Sequence, residues 1–153
     1  MNVEERVKEL SLELPPPPKP LGVYRPVLVS GKMAYTSGHG PLKSDGSLIA
    51  GRVGEELDQK AGFDAARQTG LALLSSLRAE LGSLERVKRI VKTLGMVNCT
   101  LDFAQQPAVI NGFSELMVEV FGEEKGIGAR SAVGVGSLPG NIPVEIEAIF
   151  EID

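Results

Sequence analysis

The chain has 153 residues, with 16 Lys+Arg against 20 Asp+Glu for a formal net charge of −4, one His, one Cys and no Trp. One His and one Cys cannot build a Cys/His zinc centre within a chain, and one Cys excludes an intrachain disulfide. A Ser-His-Asp triad would have to use His39, and no G-x-S-x-G elbow is present.

The acidic balance argues against nucleic acid as a partner, which would draw on clustered Lys and Arg. An aromatic content of 5% also leaves few platforms for stacked bases. The length suggests one domain with enough residues for a real core. No apolar run reaches the ~18–20 residues of a membrane span, so no membrane partner is expected. Met1–Leu14 carries Glu4, Glu5 and Glu9 in place of a signal-peptide apolar block, and a cytoplasmic location is the default expectation.

Val3, Val7 and Leu10 form a weak helical stripe that ends at Pro15-Pro16-Pro17-Pro18, a segment that cannot continue a helix. Residues 1–18 therefore read as an N-terminal arm with a polyproline segment, and 19–153 as the domain. Leu21–Val29 and Met33–Thr36, separated by Ser30-Gly31-Lys32, predict a β-hairpin. Ser37-Gly38-His39-Gly40-Pro41 breaks the strand, and Ser44-Asp45-Gly46-Ser47 is a second turn before a short third strand at Leu48–Gly51.

Glu55–Leu81 contains no Pro, and Ala61, Ala65, Ala66, Leu73, Leu74, Leu77 and Leu81 share one helical face. Gly82 suits the C′ position and Ser83 the N-cap of a one-turn helix at Leu84–Val87. Arg89–Cys99 is β-branched and apolar and reads as a central strand. Pro107 fits the first turn of a second helix, along which Ile110, Phe113, Met117, Val120 and Phe121 recur, with Gly122 at its end. Arg130–Ser137 and Pro143–Ile152 read as closing strands that run hairpin-fashion through Leu138-Pro139-Gly140-Asn141. The order β-β-β-α-β-α-β-β predicts an α+β fold, a mostly antiparallel sheet with both helices on one face.

The last strand alternates: Val144, Ile146, Ala148, Phe150 and Ile152 point one way, and Glu145, Glu147, Ile149 and Glu151 the other. In the strand before it, Val133 and Val135 share one face, expected to meet the helices. Arg130, Ala132, Gly134 and Gly136 share the other. That second face is either a solvated sheet surface on which Arg130 pairs a nearby Glu, or a surface buried against other subunits. Pattern alone leaves both readings open.

Arg130-Ser131-Ala132-Val133-Gly134-Val135, followed by Leu138-Pro139 and Val144-Glu145-Ile146-Glu147-Ala148, resembles the closing signature of the RidA/YjgF family of reactive-intermediate imine deaminases, described earlier as endoribonucleases or translation inhibitors. Gly22-Val23-Tyr24 and Tyr35-Thr36-Ser37-Gly38-His39-Gly40-Pro41 resemble two further family segments, and Asn111 falls where the family commonly has Asn. The resemblance implies a chorismate-mutase-like fold and a homotrimer with a central barrel, helices outside and clefts between subunits. It implies hydrolysis of 2-enamino or 2-imino acids to 2-oxo acids and ammonia, without metal or organic cofactor.

In that reading Arg130 binds the substrate carboxylate, Glu145 positions or activates water, and Tyr24, Ser37, Gly38, Ala132 and Asn111 line the substrate site. His39 stands where the family usually has Gln and reads as a loop residue near the cleft. Glu147 reads as a solvated or interface residue, and Cys99 as a small apolar one. Ala132 replaces a common Cys, and Gly122–Ala129 looks longer than its counterpart, so substrate choice is left open by the resemblance. A non-catalytic binder of small carboxylic acids and an RNA-cleaving enzyme are the alternative functions.

Overall fold

The computed structural model describes residues 1–153. In chain order the elements are α1 (Val3–Glu9), β1 (Val27–Ser30), β2 (Met33–Thr36), α2 (Gln59–Leu81), β3 (Val87–Asn98), α3 (Gln106–Phe121), α4 (Glu123–Gly126), β4 (Ala129–Val135) and β5 (Val144–Ile152). Single 3-10 turns at Leu84–Arg86 and Pro139–Asn141 join them.

The strands form one five-stranded sheet in the order β1-β2-β5-β3-β4. β1–β2, β2–β5 and β5–β3 are antiparallel, whereas β3–β4 is parallel. The α+β expectation holds, with the sheet mixed. The closing hairpin is corrected: β3 lies between β4 and β5. A parallel pair needs a long crossover, and α3 supplies it as a β3-α3-β4 unit. The return from β4 then carries β5 to the other edge of β3, where Val87–Val97 offer an unpaired ladder.

The third strand at Leu48–Gly51 is also corrected to a single bridge, Leu42↔Leu48. The Asp45 carboxylate accepts from the Ser47 amide and hydroxyl, which closes a tight turn and leaves Leu48 45% exposed with no ladder to join. The first long helix starts later than expected. Asp58 is its N-cap, accepting from the Ala61 amide at 2.8 Å, which fixes Gln59 as the first helical residue. Gly82 at φ +84° closes the helix in the left-handed conformation, as its position predicts.

Both long helices pack on one face of the sheet and on each other. A Cβ on Gly112 of α3 would overlap the Phe63 carbonyl of α2, so the helices touch backbone to backbone there. Their inner faces meet Ile146, Phe150 and Ile152 of β5, all fully buried, in one core cluster. Apolar burial of this kind contributes about 25 cal/mol per Å² removed from water.

Residues 1–18 lie against this core. Asn2 and Glu5 form a capping box at the start of α1, and Val7 is 5% exposed within the cluster. The Glu4 carboxylate accepts from Arg78 of α2 at 2.8 Å and from the Leu84 amide at 3.0 Å. Ser75 donates to the Pro15 carbonyl at 2.5 Å, which seats the start of the polyproline run on α2.

The face expected of β4 is reversed. Arg130 reaches α3, Ala132 packs against the core, and Val133 is 42% exposed. The parallel register sets this outcome, because Arg130 pairs with Thr93, a buried residue on the helix side of β3. Small residues at Ala132 and Gly134 leave room for α3, so the bulky valines face outward. The helix-free face therefore carries Leu28, Tyr35, Val133 and Ile149 together with Glu145, Glu147 and Glu151.

Candidate functional site

Arg130 leans from the edge strand toward α3. Its Nη1 donates to Asn111 Oδ1 at 2.7 Å and to Ser114 Oγ at 3.1 Å. Asn111 and Ser114 are one helical turn apart and so meet the same guanidinium. Five other arginines (Arg6, Arg52, Arg67, Arg78 and Arg86) hold carboxylates. Arg130 forms no ion pair, which excludes the reading in which a nearby Glu neutralises it. Two neutral acceptors fix one nitrogen, and the Nε and Nη2 edge keeps its donors. That edge has the fork geometry that binds a carboxylate through two parallel hydrogen bonds.

Glu145 belongs to a second cluster. It lies on β5 beneath the loop that follows β2, and a Cβ on Gly38 would overlap its carboxyl. The loop is clamped one residue further on: the His39 amide donates to the Ile146 carbonyl at 2.8 Å and the Ile146 amide to the His39 carbonyl at 3.0 Å. Ser37 ties the loop to the chain before β1, with its amide donating to the Pro26 carbonyl at 2.9 Å and its hydroxyl to the Arg25 carbonyl at 2.6 Å. Burial raises the Glu145 carboxyl above the usual range, and the like charge of Glu147 adds to this.

His39 is 5% exposed, and its ring lies between the Ser37 carbonyl and Ser76 of α2. Its Nδ1 lies 2.7 Å from the Ser37 carbonyl and its Nε2 2.8 Å from the Ser76 hydroxyl of α2. A carbonyl can only accept, so Nδ1 carries the proton, and in the neutral ring Nε2 accepts from Ser76. Burial holds its pKa below the ordinary histidine value, partly opposed by the Ser37 hydrogen bond. His39 thus pins the Ser37-Gly38 loop to α2.

Tyr24 stands 46% exposed on the approach to β1, and its hydroxyl accepts from the Leu21 amide at 3.2 Å. Ala132 lies two residues along β4 from Arg130 on the same face. The chain thus brings Arg130, Asn111 and Ala132 together, and separately Ser37, Gly38 and Glu145. It does not join the two groups. β3 separates β4 from β5, a lateral distance of roughly 10 Å at the usual strand spacing, and the side chains of Arg130 and Glu145 point to opposite faces. Ser114 was not legible as a partner of Arg130. Its one available signal is the i, i+3 spacing from Asn111. No cluster of three or more His, Cys, Asp or Glu is placed to hold a metal ion.

The chain thus combines an α+β sheet covered by helices on one face, an arginine without an ion pair at the sheet rim and a carboxylate under a glycine loop. Comparison with known proteins supplies the family. Residues 4–142 match the family model described as "YjgF/chorismate_mutase-like, putative endoribonuclease". Protein TCP17 of Trypanosoma cruzi is 38% identical over 151 residues, covering 99% of this chain and 94% of that protein. The crystal structure of Atu1372 from Agrobacterium tumefaciens matches with a TM-score of 0.89 at 40% identity, covering 99% of this chain and 94% of that one. RidA from an Antarctic Psychrobacter matches with a TM-score of 0.63 at 26% identity, covering 89% and 94%. The chain belongs to the RidA/YjgF family, with the chorismate-mutase-like fold.

Proposed function

We propose that the protein is a hydrolytic deaminase that converts 2-enamino and 2-imino acids to 2-oxo acids and ammonia. The observation that carries this reading is the free edge of Arg130, a fixed guanidinium without a carboxylate partner. The substrate carboxylate lies along Nε and Nη2, which leaves the adjacent C2=N group beyond the guanidinium plane. An enamine first becomes the imine by gaining a proton at C3 and losing one from nitrogen, and water then adds to C2 of the imine while a base accepts its proton. The tetrahedral adduct then expels nitrogen as ammonia once that nitrogen is protonated, and the C2–oxygen bond becomes the carbonyl. Glu145 serves as that base and then as the acid, and its raised pKa moves it toward the operating range for both roles.

One chain cannot close this geometry, because the two groups lie on opposite faces. The reading therefore includes self-association, as a homotrimer in which Arg130 of one copy faces Glu145 of the next. The exposed Leu28, Tyr35 and Val133 on the helix-free face support such a contact. RNA cleavage, the activity in the family description, draws no support from the site. The one histidine has both ring nitrogens engaged, and the net charge is −4.

The test is to generate imino acids in situ with an amino-acid oxidase and follow their loss. Wild-type protein accelerates the loss with release of ammonia, and Arg130→Ala removes the acceleration while the oligomer persists on size-exclusion chromatography. Equal rates for wild type and buffer overturn the reading. The separation of Arg130 from Glu145 within a chain favours one second reading, a carboxylate binder without catalysis. It would show as 2-oxo-acid binding without imine hydrolysis.

A further inference from the structure

A cleft of about 260 Å³ opens beside Arg130, between α3, the α4 segment and the first half of β3. Its inner wall is apolar. Ile90, Phe113 and Met117 lie beneath it as core residues that expose almost nothing, and the apolar surface open to a ligand comes from Ile127 and the half-buried Val118. Ile127, 56% exposed, borders its mouth, and Ser114 and Arg130 form its polar end. Of the charged groups of α3, Glu115 lines the cleft and is exposed.

The volume is about nine water molecules at ~30 Å³ each. A methyl group leaves most of that space unfilled, whereas a branched aliphatic or aromatic side chain occupies it. Gly126, Ile127 and Gly128 contribute the wall that belongs to the segment joining α3 to β4.

We infer that the cleft receives the side chain of the acid held by Arg130, and that the preferred ligands are 2-imino or 2-oxo acids with large apolar side chains. The inference rests on the reading of Arg130 as the carboxylate site and adds the substrate class to it. An apolar side chain gains by leaving water for Ile127 and the half-buried Val118. A second carboxylate is disfavoured by Glu115 at the cleft. Differences of a few methylenes in an apolar pocket are worth about ten-fold or more in selectivity.

The experiment is a calorimetric titration of the full-length protein with 2-oxo acids bearing methyl, isobutyl or benzyl side chains. The isobutyl and benzyl acids bind at least ten-fold more tightly than the methyl acid. Ile127→Asp brings the ratio close to one, and circular dichroism confirms its fold. Ile127→Ser, which adds no charge, lowers the ratio less. Arg130→Ala removes binding of all three. Equal affinities in the wild type, or a ratio that Ile127→Asp leaves unchanged, overturn the cleft assignment. Failure of every acid to bind overturns both the carboxylate site and the cleft. Selective binding with no acceleration of the matching imines supports the cleft while overturning the deaminase reading.

Discussion

Gly38 covers the carboxyl of Glu145 so closely that a single added methyl would overlap Oε2. The contact is between a backbone held on both sides and the far end of a flexible side chain, so the side chain yields first. Gly38→Ala is therefore expected to displace Glu145 at a stability loss of about 1 kcal/mol or less, below the usual range for overpacking. Activity falls more than ten-fold. Thermal melts beside imine-hydrolysis rates check this, and an unaltered rate would show that the Glu145 position does not matter.

Asn111 and Ser114 aim Arg130 without neutralising it. Replacing both with Ala frees the guanidinium to rotate. The expected result is a rise in KM of about ten-fold with a smaller change in kcat, since the loss falls on carboxylate binding. The fold is expected to be retained, because Asn111 lies at the solvent edge. Steady-state kinetics on each single and the double variant give the coupling.

The carboxyl of Glu145, raised by burial and then by Glu147, sets one pH dependence. A folded pKa above the ordinary 4.5 means that the folded state binds this proton more tightly than the unfolded one. Its contribution is then fully favourable below pH 4.5 and is lost as pH rises through the folded pKa. Glu145→Gln is thus expected to melt higher than wild type at neutral pH, and the gap narrows on acidification. Melting temperatures measured from pH 4 to 8 decide the sign.

His39 acts in the opposite sense. Its pKa is lowered chiefly by burial, so the unfolded chain takes up a proton before the folded one does. Its stabilising contribution is complete above pH 6.5 and declines as pH falls from 6.5 toward the folded pKa. His39→Gln, which keeps a donor and an acceptor, removes that acid limb. His39→Ala loses both hydrogen bonds and is expected to cost about 1–3 kcal/mol. Denaturant unfolding at two pH values separates these outcomes.

The N-terminal arm is expected to contribute stability rather than hang free. Glu4→Ala strips Arg78 and the Leu84 amide of their acceptor and is expected to cost about 1–2 kcal/mol, the ion-pair part of it small at this partly exposed site. Urea denaturation reads this as a lower midpoint with an unchanged slope.

Elements set by local chemistry were legible in the sequence. Gly82, Ser83 and Pro107 mark helix boundaries through their own backbone requirements, and β5 declares its buried face by strict alternation. Elements set by long-range pairing were not. The hairpin reading of the last two strands failed because adjacency in sequence does not reveal that α3 carries β4 alongside β3. The face of β4 was misread for the same reason: valine outranks arginine in apolar character, but the register with Thr93 decides which of them meets α3. Of the candidate site, the residue types came from the resemblance, and their division into two groups on opposite faces came only from the sheet order.

The β3-α3-β4 crossover leaves β4 at the rim of the sheet, with one row of backbone amides and carbonyls unspent. Arg130 is mounted on that rim, so the ligand capture proposed for it and the exposure of the strand share a single edge. An unpaired strand edge of this kind invites disordered sheet-to-sheet association at high concentration unless another element covers it. In the homotrimer proposed above, a neighbouring copy that meets Arg130 would also shield this strand from aggregation.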